Sequence, residues 1–196
     1  MDSPPNETQL IASAKQGNQE AMSALYEFYA QSIYRYISYR VDSQMVAEDI
    51  TAEVFLRMVR ELPSFEDRGL PFGAWLYKIA SNLLKDHYRH TQSKPEVELD
   101  ESLRNDDTDP FLRIENAQER QRIAEALQTL PSEYQDVLIL RFMRGLSHAE
   151  VAQILNKSEN ALRTIQHRAL KALGKKLDTT QKQRSYFRGK SHDEDE

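Results

Sequence analysis

The 196-residue chain has no cysteine, which excludes structural disulfides, thiolate zinc sites and a thiol redox switch within it. No apolar run approaches the roughly 18 residues of a membrane-spanning helix. The first residues, MDSPPNETQL, also lack the basic-then-apolar order of a signal peptide. The expectation is a cytoplasmic protein with no membrane insertion. Glycine is scarce and aromatic residues make up only 9%, while Ala, Leu, Glu, Gln and Arg are frequent, a composition that favours helices. No glycine-rich phosphate loop or nucleophile-elbow motif is present. Asp86, His87 and His90 suggest a metal cluster, but residues 86 and 87 point in different helical directions and no second ligand group recurs. Polar side chains on a solvated helix face explain them better, so no catalytic residue, metal or cofactor is expected and the chain does not read as an enzyme.

The most informative stretch runs from Ser147 to Leu173, SHAEVAQILNKSENALRTIQHRALKAL. Ser147 and Glu150 have capping-box spacing, so a helix should start there. Val151, Ala152, Ile154 and Leu155 give it an apolar stripe. Asn156, Lys157 and Ser158 then interrupt the pattern, and Ser158 can cap a second helix. At 100° per residue, Leu162, Ile165, Ala169 and Leu173 gather on one side of that helix. Asn160, Arg163, Thr164, His167 and Lys171 lie opposite, with Arg168 at the flank. This is the pattern of a helix-turn-helix, whose second helix offers Arg and Asn donors to base edges and Lys and Arg charge to phosphates. A charged face alone belongs to any amphipathic surface helix. Local charge sharpens the reading: residues 141–177 hold eight Lys or Arg against two Glu, whereas the whole chain has a net charge of -5.

Acidic charge is segregated elsewhere. From about Thr91 to Pro110, TQSKPEVELDESLRNDDTDP has little apolar periodicity and carries proline near both ends, which predicts a flexible acidic linker. Beyond about Leu177, DTTQKQRSYFRGKSHDEDE lacks a core pattern and reads as a disordered tail. The N-terminal block divides into helices at its breakers. Leu10 to Gln16 ends at Gly17, and Glu20 to Tyr39 carries Met22, Leu25, Tyr26, Tyr29, Ile33, Tyr36 and Ile37 as core. A third helix, from about Ser43 to Leu62, turns Val46, Ile50, Val54, Met58 and Leu62 inward before Pro63 ends it. Asp49, Glu53, Arg57 and Arg60 occupy its outer face, either as mutual ion pairs or as a protein-docking surface. PSFEDRGLP then forms an exposed loop in which Phe65 either tucks into the core or wedges against an unpaired base. The next helix, PFGAWLYKIASNLLKDHYRH, buries Trp75, Leu76, Ile79 and Leu83. Its polar edge of Ser81, Asn82, Lys85, Asp86, Arg89 and His90 suits single-stranded DNA.

Across nearly all of the folded chain these blocks resemble the extracytoplasmic-function (ECF) sigma factors of bacterial RNA polymerase. AEDITAEVFLRMVREL is similar to the core-binding helix of sigma region 2, and FGAWLYKIASNLLKDHYRH to its promoter-melting helix. LPSEYQDVLILRFMRGLSHAEVAQIL with SENALRTIQHRALKAL resembles region 4. The resemblance implies an all-α fold of two helical domains joined by the acidic linker: region 2 over 1–90, linker 91–112, region 4 over 113–177 and tail 178–196. It implies that Asp49, Glu53, Phe55 and Arg57 bind the clamp coiled coil of core polymerase. Phe65, Ser81, Asn82, Lys85 and Arg89 would engage the -10 element, with Asn82 contacting a flipped base. Ser158, Asn160, Arg163, Thr164, His167, Arg168 and Lys171 would read the -35 duplex while region 4 rests on the polymerase flap. The acidic linker would pass through the RNA path, its charge mimicking a transcript. Family members commonly have an anti-sigma factor, which makes one an expected partner alongside core RNA polymerase and promoter DNA.

The chain departs from the family pattern at Ala52, Val59, Ser81 and Ile165, where Gln, Trp, Arg and Arg are common. Ile165 falls on the apolar face and is assigned to the core. Ser81 puts a phosphate contact at that site in doubt. A conventional helix-turn-helix regulator, with the first block as sensor or dimerisation unit, is the alternative; it would not require core polymerase.

Overall fold

A computed structural model describes residues 3–41, 43–66, 70–91 and 117–190, and all regular structure among them is helical. The first group comprises α1 (Glu7–Lys15), α2 (Gln19–Ser38), α3 (Gln44–Glu61), a 3-10 turn (Leu62–Ser64) and α4 (Phe72–Thr91). The second comprises α5 (Ala117–Gln128), α6 (Ser132–Leu138), a π-helical turn (Ile139–Met143), α7 (His148–Leu155) and α8 (Glu159–Lys190). The acidic stretch expected as a linker lies outside the described residues, apart from Thr91 at the end of α4.

Local chemistry sets these boundaries. Gly17 takes a left-handed φ of 86° after α1, and the Asn18 side chain accepts from the Ala21 amide at 2.9 Å to start α2. Pro63 stops α3 in a 3-10 turn, closed by the Phe65 amide donating to Leu62 at 3.0 Å. The capping box of α7 is complete: Glu150 N donates to Ser147 Oγ at 3.2 Å, and Ser147 N donates to Glu150 Oε2 at 2.7 Å. Asn156 reverses the chain with a left-handed φ of 54°, tolerated by its short polar side chain, and Ser158 Oγ then caps α8 at the Ala161 amide.

Leu25, Tyr29, Ile33, Tyr36 and Ile37 of α2 pack with Val54, Met58, Leu76 and Leu84, as the helical spacing requires. Tyr26 departs from expectation: it is about half exposed and meets Phe55 edge-on, with ring centroids 4.7 Å apart. Leu162 and Ala169 anchor α8, with Ile165 and Leu173 partly buried against the same core. Beyond Leu177 the backbone of α8 continues as a helix to Lys190, and residues 191–196 of the expected disordered tail lie outside the described residues. The absence of a core pattern removes a packing face. It does not remove the helix propensity of Gln, Lys and Arg, which prolong a helix already nucleated by the packed turns before them.

The two groups share one continuous hydrophobic core, with α7 packed on α4. Polar bridges reinforce the contact. Arg40, in the turn after α2, pairs with Asp136 of α6 and donates to Ser132 Oγ at 2.7 Å, while the Tyr36 hydroxyl donates to Asp136. Arg144 donates to the Tyr77 hydroxyl at 2.8 Å and to Ser32 Oγ at 2.6 Å. Burial, then the Asp136 charge, raises the Tyr36 pKa well above the usual phenol value, so Tyr36 remains a protonated donor. Burial disfavours the Arg40 charge, but Asp136, Tyr36 and Tyr88 together outweigh it and the net shift of Arg40 is upward.

Candidate nucleic-acid and polymerase interfaces

On α4, steps of three and four residues place Trp75, Lys78, Asn82, Lys85 and Arg89 along one stripe about 21 Å long. Asn82, Lys85 and Arg89 are exposed, and Trp75 and Lys78 are partly buried. This presents an aromatic face at one end, an amide midway and cations along the rest, the combination that stacks and reads an unpaired strand. Arg89 pairs with Asp86 at 2.7 Å; both side chains are open to solvent, so the pair is weak and can yield to a phosphate. Trp75 and Lys78 were not among the expected site residues, although their three- and four-residue steps from Asn82 are visible in the sequence.

Ser81 does not share this stripe. It is buried near Tyr36, because one residue along a helix is a rotation of about 100° from Asn82. Phe65 is buried as well, so of its two expected fates it takes the core. Its ring lies 4.8 Å from Trp75 and 5.4 Å from Phe72, supporting the indole from behind rather than projecting as a wedge.

On α3, Asp49 is exposed and Glu53 accepts from Arg57 at 2.9 Å and from Arg60 at 3.2 Å. The hydrogen bond from Arg57, joined by the charges of Arg60 and Arg57, holds the Glu53 carboxyl below its ordinary pKa. Phe55 turns away from this face and is buried against Tyr26. The exposed large apolar groups of α3 are instead Met45 near its start and Leu56 and Val59 beside Glu53, at 68%, 56% and 47%. Leu56 lies three residues from Glu53 and seven from Asp49, so helical spacing alone could have placed it among them.

At the cap of α8 and along it, Ser158, Asn160, Arg163, Thr164, His167, Arg168 and Lys171 are all exposed, and Leu162 and Ala169 hold the opposite face down. The Thr164 hydroxyl donates back to the Asn160 carbonyl at 3.1 Å. Not all the local positive charge faces outward. Arg141 reaches the Leu146 carbonyl and Gln166, Arg144 bridges to Ser32 and Tyr77, and Lys157 pairs with Glu133 at 2.8 Å.

The sigma-70 region 2 family model matches residues 25–94, and the sigma-70 region 4 model matches residues 120–173. Over 171 residues the chain is 36% identical to the ECF RNA polymerase sigma factor BldN of Streptomyces coelicolor, covering 86% of this chain and 65% of that protein. It is 34% identical to the ECF RNA polymerase sigma factor SigD of Mycobacterium tuberculosis, over 84% of this chain and 80% of that one. Against the ECF RNA polymerase sigma factor SigW of Bacillus subtilis it is 30% identical, over 85% and 94%. Among solved structures, CnrH in complex with the cytosolic domain of CnrY matches with a TM-score of 0.66 at 26% identity, over 87% of this chain and 96% of that one. Both sigma regions are present in order, and relatives at or above 30% identity align across most of their own length, so the chain belongs to the ECF RNA polymerase sigma factors of the sigma-70 family.

Proposed function

We propose that this chain binds core RNA polymerase through the outer face of α3, directs it to promoters by reading the -35 duplex with α8, and helps to open the -10 element along α4. The observation that carries the reading is the α4 stripe, where Trp75, Asn82 and three cations line one edge of the helix. A base leaving the duplex costs a few kcal/mol of stacking and pairing. An indole face and the Asn82 amide offset part of that, and Lys78, Lys85 and Arg89 hold the adjoining phosphates. No bond is made or broken in this step, so the activity is binding coupled to strand separation and needs no cofactor. In the core contact, Asp49, Glu53 and Arg57 supply charge around an apolar centre of Leu56 and Val59.

The α7–turn–α8 unit is read as a helix-turn-helix whose exposed face enters the major groove. Arg163 and Asn160 are suited to base edges, while His167, Arg168 and Lys171 lie where phosphates would pass. CnrH, solved in complex with the cytosolic domain of CnrY, and the fold neighbour RpoE, solved in complex with the anti-sigma factor NepR, support an anti-sigma partner for this chain. The exposed Phe142 and Leu170 give region 4 apolar contacts for the polymerase flap or that partner. The place of action is the cytoplasm, with the polymerase.

Run-off transcription with purified core polymerase tests the reading. Adding the chain should create new RNA starts that share a two-part upstream element, and Asn82→Ala should impair opening more than binding to the closed duplex. A chain that fails to bind core polymerase at all would be a conventional regulator instead.

A further inference from the structure

Helix α1 lies before residue 25, where the match to the region 2 family model begins, yet its last residue contacts Phe65, which backs the proposed -10 site. It packs along α2 and against the 3-10 turn that follows α3. Both of its ends are tied. Near the start, the Tyr29 hydroxyl donates to Glu7; burial, followed by that hydrogen bond, pushes the Tyr29 pKa upward and keeps the hydroxyl a donor. At the last residue, the Lys15 ammonium donates to the Phe65 carbonyl and lies 5.7 Å from the centroid of the Phe65 ring.

The second tie bears on the site. Phe65 is the first residue after the 3-10 turn and begins the connection to α4. Its ring is the support behind Trp75, with centroids 4.8 Å apart, and Phe72 contacts both rings at 5.4 Å. Tyr29, which receives α1 at its other end, also meets Phe72, at 5.6 Å. One ammonium therefore fixes the backbone and the ring of a residue whose only outward-facing neighbour in this cluster is Trp75. A charge-assisted hydrogen bond and a cation-π contact on the same residue leave it little freedom to rotate.

We propose that Lys15 is a positioning residue for -10 opening: it locks Phe65 beneath Trp75, so that the indole is preset at the end of the Asn82 stripe where an unpaired base stacks. Lys15 touches no DNA in this scheme. Its contribution is preorganisation, sparing the complex the ordering of the indole when the base arrives. The inference rests on the proposed role of the α4 stripe.

Trp75 is the only tryptophan in the chain, so its fluorescence reports on this position alone. Lys15→Met should make Trp75 more accessible to acrylamide in the full chain. In reconstituted holoenzyme it should slow promoter opening about tenfold, the size of one lost charge-assisted hydrogen bond, with -35 duplex binding unchanged. Lys15→Arg, which keeps the donors and the cation over the ring, should restore both. Unchanged quenching with Lys15→Met, or an Arg variant as defective as the Met variant, overturns the proposal. If Lys15→Met does not fold, Lys15→Ala, which also removes both the donor and the cation, replaces it, and wild-type behaviour of that variant in both measurements is equally fatal. Asn82→Ala in the same opening assay separates the two readings. An unaffected Asn82→Ala holoenzyme means the α4 stripe itself is misassigned, whereas a defective one beside a normal Lys15→Met means only this inference fails.

Discussion

Arg40 and Asp136 form an ion pair across the two halves of the chain, 96 residues apart in sequence, with side chains 0% and 2% exposed. A pair so buried is held by its surroundings. The Tyr36 hydroxyl donates to Asp136, Arg40 donates to Ser132 Oγ, and the Arg40 guanidinium lies 5.6 Å from the ring centroid of Tyr88. Removing one partner of such a pair strands the other and typically costs about 3–5 kcal/mol.

That cost bears on function, because the docked arrangement cannot serve a promoter. A -10 and a -35 element lie about 25 base pairs apart, or about 85 Å along duplex at 3.4 Å per pair. Helix α7 packs on both α4 and α8, which holds the proposed -10 and -35 readers too close together to span that distance. Asp136→Ala should therefore shift the chain toward separated halves. Because the chain has no native cysteine, dye pairs can be placed cleanly at Glu27→Cys and Gln153→Cys, both exposed positions. Energy transfer should fall in the Asp136→Ala background while helical circular dichroism is retained. Unaltered transfer would show that the ion pair does not hold the halves together.

The parts legible in the sequence were those encoded locally. Asn156 breaks α7 from α8, and the Ser147–Glu150 box and Ser158 cap fall within four residues of the helices they start, so the boundaries followed from spacing. The exposed face of α8 followed from the same periodicity. The docking of the halves could not be read this way, because Arg40 and Asp136 are charged residues with no local pattern marking them for burial. Phe55 and Leu56 show a second limit. Both are apolar neighbours on α3, and only the position of Tyr26 on α2 decides that Phe55 is the one covered. Ser81, adjacent to Asn82 in sequence, was grouped with it although a helix separates neighbours by about 100°.

Glu53 gives a pH-dependent prediction. Its carboxyl titrates below the ordinary value of 4.5 because Arg57 and Arg60 favour the charged form. A depressed folded pKa contributes stability that is fully present above the unfolded value and is lost as pH falls through the folded one. The contribution should be small, since the group is exposed and screened. NMR titration of the Glu53 side chain should show its midpoint below 4.5, and Arg57→Ala should move that midpoint upward. A midpoint indifferent to Arg57→Ala would mean that the pair seen on α3 is not maintained in solution.

The exposed face of α8 separates two kinds of DNA recognition that salt can distinguish. Arg163 faces Glu159 at 3.8 Å, with both side chains more than half exposed, so the pair is weak and the guanidinium can turn toward a base edge. Removing a bidentate hydrogen-bonding group there should cost about 1–3 kcal/mol and relax preference at one base pair. Lys171, exposed one turn beyond the Arg168 flank, is placed to meet a phosphate, so Lys171→Ala should weaken binding to all sequences alike. Its log–log salt slope should become shallower by about 0.9, for one fewer counterion released. The measurement is -35 duplex affinity over a salt series for Arg163→Ala and Lys171→Ala, on the cognate site and on single-base variants, with core-polymerase affinity as control. Arg163→Ala should lose discrimination at one position, and Lys171→Ala should keep it everywhere. The opposite assignment, or a drop in core binding that matches the drop in DNA binding, would mean that this face of α8 does not read the duplex as proposed.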